Sequence, residues 1–267
     1  MKLCHFDDGR LGVVRDGSVH DVTAALTALP ASRWPHPRHD PLVLDLERLR
    51  PALECEATSA PGIAPSRCLL RSPVPSPGKI IAVRRNYGRG TARPDFFVKA
   101  TSSVAGPGEG LLLPLPRRRY QVEIELAVVV GRAGRSIGRD VALDHVAGFC
   151  IALDVSMAGR EDRGWRKSAD TFCVLGPWLT TADEVRTAET LGIELDIDGR
   201  PALRGATSGM HHDVAALLAA ASRLVSLEAG DVLLTGSPGR QPLRPGAVLD
   251  CRIESLGSMR VEVAARR

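Results

Sequence analysis

The segment Tyr120-Gln-Val-Glu-Ile-Glu-Leu-Ala-Val-Val-Val130 sets two carboxylates inside an otherwise apolar run. Its β-branched residues and length predict a strand. Side chains two apart share a face in a strand, so Glu123 and Glu125 project together while Val122, Ile124 and Leu126 pack the other way. Two like charges side by side on a buried strand are costly unless a cation or a strong donor compensates them. A second apolar run, Val146-Ala-Gly-Phe-Cys-Ile-Ala-Leu-Asp154, ends in a third acid. A hard divalent ion, Mg²⁺ or Mn²⁺, held by carboxylate oxygens and waters is the natural compensation. An exposed strand edge with two solvated acids has the same pattern, and the E-x-E spacing alone does not separate the two.

The chain has 267 residues, enough for one full core or a large domain with a small appendage. Its six cysteines show no C-x-x-C or metal-finger spacing, which predicts free thiols in a reducing compartment. The N-terminal residues lack the apolar core of a signal peptide, and no run reaches membrane-spanning length. The expectation is a cytoplasmic protein without a membrane partner. The net charge is +4, but aromatics make up only 4% and the basic residues are dispersed apart from Arg117-Arg118-Arg119. That argues against nucleic acid and for a small anionic substrate. Only four of the 35 basic residues are lysines. Lys99 and Lys167 therefore stand out, because an ammonium is a more compact charge than a guanidinium.

Residues 1–23 alternate like a hairpin, with turns at Asp8-Gly9 and Asp16-Gly17. A weak helix is predicted near 42–53 and a linker at Ser72-Pro-Val-Pro-Ser-Pro-Gly78. Beyond it, strand-like runs fall at 79–84, 94–99, 120–130, 146–154, 191–198, 230–235 and 247–254, with one clear helix over 212–224. This predicts a small N-terminal domain over residues 1–72 and a β-rich catalytic domain over 73–267. Thr235-Gly-Ser-Pro-Gly239 is not a nucleophile elbow, since Pro follows the Ser where a helix should begin. Gly106-Pro-Gly-Glu-Gly110 leads into Leu111-Leu-Leu-Pro rather than a helix and reads as a hairpin turn. The adjacent His211 and His212 read as a solvated helix start.

Taken together, Gly78-Lys-Ile-Ile-Ala-Val-Arg-Arg-Asn86-Tyr87, Phe96-Phe-Val-Lys99, Glu123-x-Glu125, Asp154-Val-Ser156, Lys167-Ser-Ala-Asp170, Leu175-Gly-Pro-Trp178, Leu227-Glu-Ala-Gly-Asp231 and Thr235-Gly-Ser-Pro238 form an ordered set. In this set the chain resembles the fumarylacetoacetate hydrolase superfamily. The resemblance implies an α+β, β-rich fold, a mixed β-sandwich roll preceded by a small N-terminal domain, and a homodimer. It implies that Glu123, Glu125 and Asp154 hold Mg²⁺ or Mn²⁺ and that Lys167 is catalytic, meeting a substrate carboxylate or developing oxyanion. Thr235 and Ser237 fall where members contact the substrate carboxylate. Tyr87 and Lys99, from the matching motifs, and Arg89 and Arg93, from the glycine-containing loop after Tyr87, complete the expected substrate-binding set.

The departures bear on the reaction. Hydrolytic members usually follow Asn-Tyr with a His and a Glu that activate water; here those positions are Gly90 and Arg93. The family's Gln falls on Leu203, its Asn on Asp198, and its Arg-Asp pair on Ala158-Gly159. The expectation is therefore 2-oxo acid or β-dicarbonyl chemistry through a metal-stabilised enolate: a lyase, decarboxylase or isomerase, including a biosynthetic tailoring step. The alternatives are C–C hydrolysis using another base, with Glu161, Asp162 and His145 as nominal candidates, and an inactive ligand-binding relative.

Overall fold

The computed structural model describes residues 1–31 and 34–265. The N-terminal segment forms β1 (Lys2–Phe6), β2 (Arg10–Arg15), β3 (Ser18–Asp21), α1 (Pro41–Leu44), α2 (Leu46–Ser59) and β4 (Gly62–Ile63). There follow β5 (Ile80–Arg84), β6 (Asp95–Lys99), β7 (Val104–Ala105), β8 (Leu111–Leu113), β9 (Tyr120–Val130), β10 (Val146–Met157) and α3 (Arg163–Arg166). The chain ends with β11 (Cys173–Thr181), β12 (Gly192–Ile197), β13 (Arg200–Ala206), α4 (Val214–Leu224), β14 (Val232–Leu234), β15 (Gln241–Leu243), β16 (Val248–Ile253) and β17 (Gly257–Ala265).

These strands form two sheets. A twelve-stranded sheet runs β4-β3-β2-β1-β11-β10-β9-β14-β5-β6, with β15 added to β9 and β7 to β11. A five-stranded sheet runs β13-β12-β16-β17-β8. The fold is the strand-rich α+β arrangement that the sequence implies. The N-terminal strands enter the large sheet through β1, where Leu3 pairs with Leu179 of β11.

The alternation of β9 divides the interior. Val122, Ile124, Leu126 and Val128 join Ile151 and Leu153 of β10 and face Ile193, Leu195, Leu249 and Val261 of the second sheet. On the opposite face Ala127, Val129, Cys150 and Ala152 pack with Leu46, Leu49 and Leu53 of α2. Each fully buried aliphatic side chain contributes about 1.5–3 kcal/mol, and burial on both faces explains why β9 and β10 read as near-continuous apolar runs. The helices follow their signals. Asp213 caps α4 by accepting from the Ala216 amide, and the buried Val214, Leu217, Leu218 and Ala221 repeat at helical spacing. No helix of the described residues is long and apolar enough to cross a membrane.

Three local expectations change. Ser72 and Val74 are buried, so Ser72–Gly78 is packed chain rather than a loose linker. Gly106–Gly110 is no hairpin: its flanking strands β7 and β8 pair with β11 and β17 in different sheets, and the turn between them is a 3₁₀ segment. Strand β11, which carries Gly176-Pro177 in its interior, is absent from the strand-like runs expected from the sequence. The β10–β11 register shifts between Phe149 and Ile151, opposite Thr180 and Gly176, and a proline is tolerated at such a bulge because no ladder donor is needed there.

Candidate active site

The site lies at an interruption in the large sheet. Along one side of β9, β10 pairs continuously and sets Asp154 opposite Glu123 and Ala152 opposite Glu125. Along the other side, β14 ends with Leu234 opposite Ala127, and β15 resumes with Gln241 opposite Val122. Between them the chain loops out over residues 235–240. Glu123 and Glu125 therefore share one face of a central strand just where one of its neighbours has left. The loop returns one contact: the Gly236 amide donates to Glu125 Oε2 at 2.7 Å. Gly236 has φ +88°, and a Cβ there would come 3.1 Å from Asn86 Cβ, so both conformation and space call for glycine. Asn86 fixes the opposite wall by donating to the carbonyls of His212 and Thr235, both at 2.9 Å.

Glu123, Glu125 and Asp154 each offer an oxygen within 4.8 Å of the others. Lys167 Nζ donates to Glu123 Oε2 at 2.7 Å and to Asp154 Oδ2, and Lys99 Nζ donates to Asp154 Oδ1 and to the Phe172 carbonyl. Burial, then the charges of Asp154 and Glu123, push the Glu125 carboxyl well above its ordinary pKa. Burial acts the same way on Asp154, but Lys99 and Lys167 outweigh it and hold that carboxyl below the usual range. Burial opposes the Lys167 ammonium too, and the three acids around it more than restore its charge. In the cation-free cluster a proton on Glu125 therefore relieves the repulsion. Three hard oxygen donors that cannot all ionise without more positive charge fit a Mg²⁺- or Mn²⁺-type ion, and no imidazole or thiolate in the cluster favours a softer one.

A cleft of about 320 Å³ stands over this cluster, lined by Tyr87, Glu123, Glu125, Asp154, Lys167 and Ser237 among others. The Tyr87 hydroxyl is buried with no hydrogen-bond partner among the described residues. Burial and the nearby Glu125 raise its pKa, so it stays a neutral donor. Ser237 donates to the Gly239 carbonyl at 2.7 Å and shapes the loop.

The other expected substrate contacts lie elsewhere. Lys99 is behind Asp154, with no exposed side-chain surface, so it acts through that carboxylate. Thr235 is fully buried and its hydroxyl donates to the Leu126 carbonyl at 3.0 Å. Arg89 and Arg93 are exposed on their loop and do not line the cleft. The nominal bases do not line it either. Glu161 pairs with Arg118, Asp162 caps α3, and His145 is bound to the Arg132 carbonyl beyond the far end of β10. His211 and His212, expected as a solvated helix start, brace the loop after Tyr87 through the carbonyls of Gly88 and Thr91.

The cations that do line the cleft are Arg84, Arg85, Arg163 and Arg240. The sequence offered a signal for Arg163, which precedes Lys167 by one helical turn, and for Arg240, which directly follows the Thr235–Gly239 motif. Removal of the buried cation behind the site has a predictable effect. Lys99→Met should lower unfolding free energy by about 3 kcal/mol, because Asp154 stays buried with one ammonium fewer. An unchanged denaturant midpoint would show that Lys167 alone satisfies Asp154.

Fold and site together define a two-sheet α+β protein with a cluster of three carboxylates whose oxygens fit a divalent cation. Residues 80–264 match the family model for the fumarylacetoacetate (FAA) hydrolase C-terminal region, and the chain belongs to that family. It is 38% identical to a maleylpyruvate hydrolase of Aquipseudomonas alcaligenes, over 98% of this chain and 99% of that one. It is 32% identical to a mitochondrial oxaloacetate tautomerase of Rattus norvegicus, over 95% of this chain and 87% of the relative. Among solved structures, a maleylpyruvate hydrolase of Sphingobium sp. SYK-6 in complex with manganese(II) and pyruvate superposes with a TM-score of 0.90 at 36% identity, covering all of both chains.

Proposed function

We propose that the chain is a divalent-cation-dependent hydrolase that cleaves the carbon–carbon bond of an acylpyruvate, releasing pyruvate and a carboxylic acid. The observation that carries this reading is the three-carboxylate cluster on the floor of a cation-lined cleft. Similarity over the full chain to a maleylpyruvate hydrolase supports it. Glu123, Glu125 and Asp154 would hold Mg²⁺ or Mn²⁺, which supplies Lewis acidity toward oxo-acid oxygens when bound. Lys167, fixed between Glu123 and Asp154, presents an ammonium to negative charge developing on the substrate. Tyr87 supplies a neutral hydroxyl donor whose hydrogen bond awaits a ligand. Val83, Phe97 and Pro238 give the cleft apolar walls that limit water.

This reading ranks hydrolysis above the enolate reactions that the missing His/Glu pair suggested, and the full-length similarity to a hydrolase is the reason. A second reading, keto–enol tautomerisation of an oxo acid, is favoured by one specific observation: no histidine lines the cleft among the described residues. Tautomerisation needs an electron sink and a proton donor but no water-activating base. Manganese-loaded protein mixed with an acylpyruvate separates the two. Stoichiometric pyruvate, read with a coupled dehydrogenase, is the outcome expected of the hydrolase. Decay of the enol absorbance without pyruvate would replace it with the tautomerase.

A further inference from the structure

Tyr87 opens a loop with little regular structure of its own. Strands β5 and β6 last pair at Arg84 and Asp95, and between them Gly88 and Gly90 carry the chain at φ +72° and +55°. Left-handed glycines alone leave such a segment many conformations. Among the described residues, two hydrogen bonds tie residues 88–94 to the rest of the protein. His211 Nε2 donates to the Gly88 carbonyl at 2.5 Å, and His212 Nε2 donates to the Thr91 carbonyl at 2.9 Å. A carbonyl oxygen only accepts, so each ring carries a proton on Nε2. The His211 ring also lies against the backbone of the loop. A Cβ on Gly90 would stand 2.2 Å from its Cδ2 and 2.4 Å from its Cγ, so glycine alone admits the imidazole there.

The histidine segment is itself docked on the residue before Tyr87. Asn86 is buried. Its backbone carbonyl accepts from the His211 amide and its side-chain oxygen from the His212 amide, both at 2.8 Å. The Tyr87 ring lies between two glycines: a Cβ on Gly209 would come 3.1 Å from its Cδ1, and one on Gly236 would come 3.7 Å from its Cδ2. The hydroxyl has no hydrogen-bond partner among the described residues, so the backbone on either side of Tyr87 has to hold it in place. Asn86 fixes that backbone on one side and the two imidazoles fix it on the other. We propose that His211 and His212 are positioning residues: by pinning the Gly88–Arg93 loop they hold the Tyr87 hydroxyl in the cleft, and so govern ligand binding and turnover without touching the substrate. Neither histidine lines the cleft. The proposal rests on the oxo-acid reading above for its ligand but not on which reaction follows.

Two readouts on the manganese-loaded full chain test it without turnover. Hydrogen–deuterium exchange reads the loop, and calorimetry with pyruvate reads the cleft. His211→Leu/His212→Leu removes both donors, whereas His211→Gln/His212→Gln keeps an N–H close to each Nε2 position. In the leucine variant the amides of residues 88–93 should exchange at least about tenfold faster. Pyruvate should bind it about fivefold to tenfold more weakly, the worth of one neutral hydrogen bond, with Mn²⁺ affinity kept within about twofold. The glutamine variant should recover most of both losses. Because the histidines act through Tyr87, Tyr87→Phe should weaken pyruvate binding less in the leucine variant than in the wild type. Gly90→Ala approaches the same contact from the loop. It should speed exchange in the wild type, and less so in a His211→Ala background, where the space of the ring is free. Unchanged exchange in the leucine variant would overturn the clamp. Faster exchange with wild-type pyruvate affinity, or additive effects with Tyr87→Phe, would overturn the positioning role. Failure of pyruvate to bind the wild type would fall on the oxo-acid reading, and exchange would still decide the clamp.

Discussion

Glu125→Gln will abolish divalent-cation binding and activity while making the cation-free protein more stable at neutral and alkaline pH. Glu125 is buried beside two other carboxylates, and that environment raises its pKa above the ordinary 4.5. A raised carboxyl pKa means that the folded state holds this proton more tightly than the unfolded state does. Its stabilising contribution is complete below pH 4.5 and disappears as pH rises through the raised value. Asp154 has the opposite sign. Its pKa is lowered from 3.8, so its contribution is present above that value and is lost as pH falls below it. The two acids therefore act in separate windows, and the glutamine removes only the alkaline penalty. Its amide oxygen can still accept from Gly236. We expect the variant to melt at least about 2 °C above the cation-free wild type at pH 8, on the usual conversion of about 1 kcal/mol for a chain of this size, with little difference at pH 4. Adding Mn²⁺ should then raise the wild-type melting temperature and leave the variant unmoved. Wild-type Mn²⁺ affinity in the variant, or a lower melting temperature at pH 8, would show that Glu125 is not the strained member of the cluster.

The parts of this site legible in the sequence were those written in strand periodicity. Glu123 and Glu125 share a face because they are two residues apart, and Asp154 ends a second apolar run. What the sequence does not show is the register that sets Asp154 against Glu123, nor the departure of β14 that opens the sheet beside them. Both depend on long-range pairing. Lys99 shows the limit of reasoning by residue type. A rare lysine next to an apolar motif reads as a substrate contact, yet an alternation that points it inward places it behind Asp154. Arg89 and Arg93 were chosen for a flexible glycine-containing loop, whereas the cleft takes its arginines from the end of β5, the turn of helix before Lys167, and the residue after the Thr235–Gly239 loop. Burial by tertiary packing decides which of many arginines faces a cleft, and composition carries no trace of it. Strand β11, with Gly176-Pro177 inside it, went unrecognised for a related reason. A bulge is a property of two strands, and the partner's register is not written in either alone.

Lys167→Met will separate cation binding from catalysis. Lys167 donates to Glu123 Oε2 and to Asp154, two of the residues that would bind the cation. Its ammonium and a divalent ion therefore draw on the same carboxylates while repelling each other. A unit charge within about 4 Å exerts about 4 kcal/mol at an effective dielectric near 20, before the second charge of the ion and any screening are counted. Removing the ammonium should leave Mn²⁺ affinity equal to wild type or tighter. Methionine approximates the lysine stem, so packing against Phe97 is retained. Turnover should fall by about tenfold to a hundredfold or more, because a donor aimed at developing negative charge is gone. Without the cation the variant should be less stable by about 3 kcal/mol or more, since the acids lose a buried partner, and Mn²⁺ should restore much of the loss. The raised pKa keeps Lys167 charged below its ordinary 10.5, and its stabilising contribution is lost only as pH rises through the raised value. A rate difference that persists across neutral pH is therefore the expected profile. Wild-type turnover in the variant would remove Lys167 from the chemistry. Joint loss of turnover and of Mn²⁺ affinity would make it a scaffold for the carboxylates rather than a partner of the substrate.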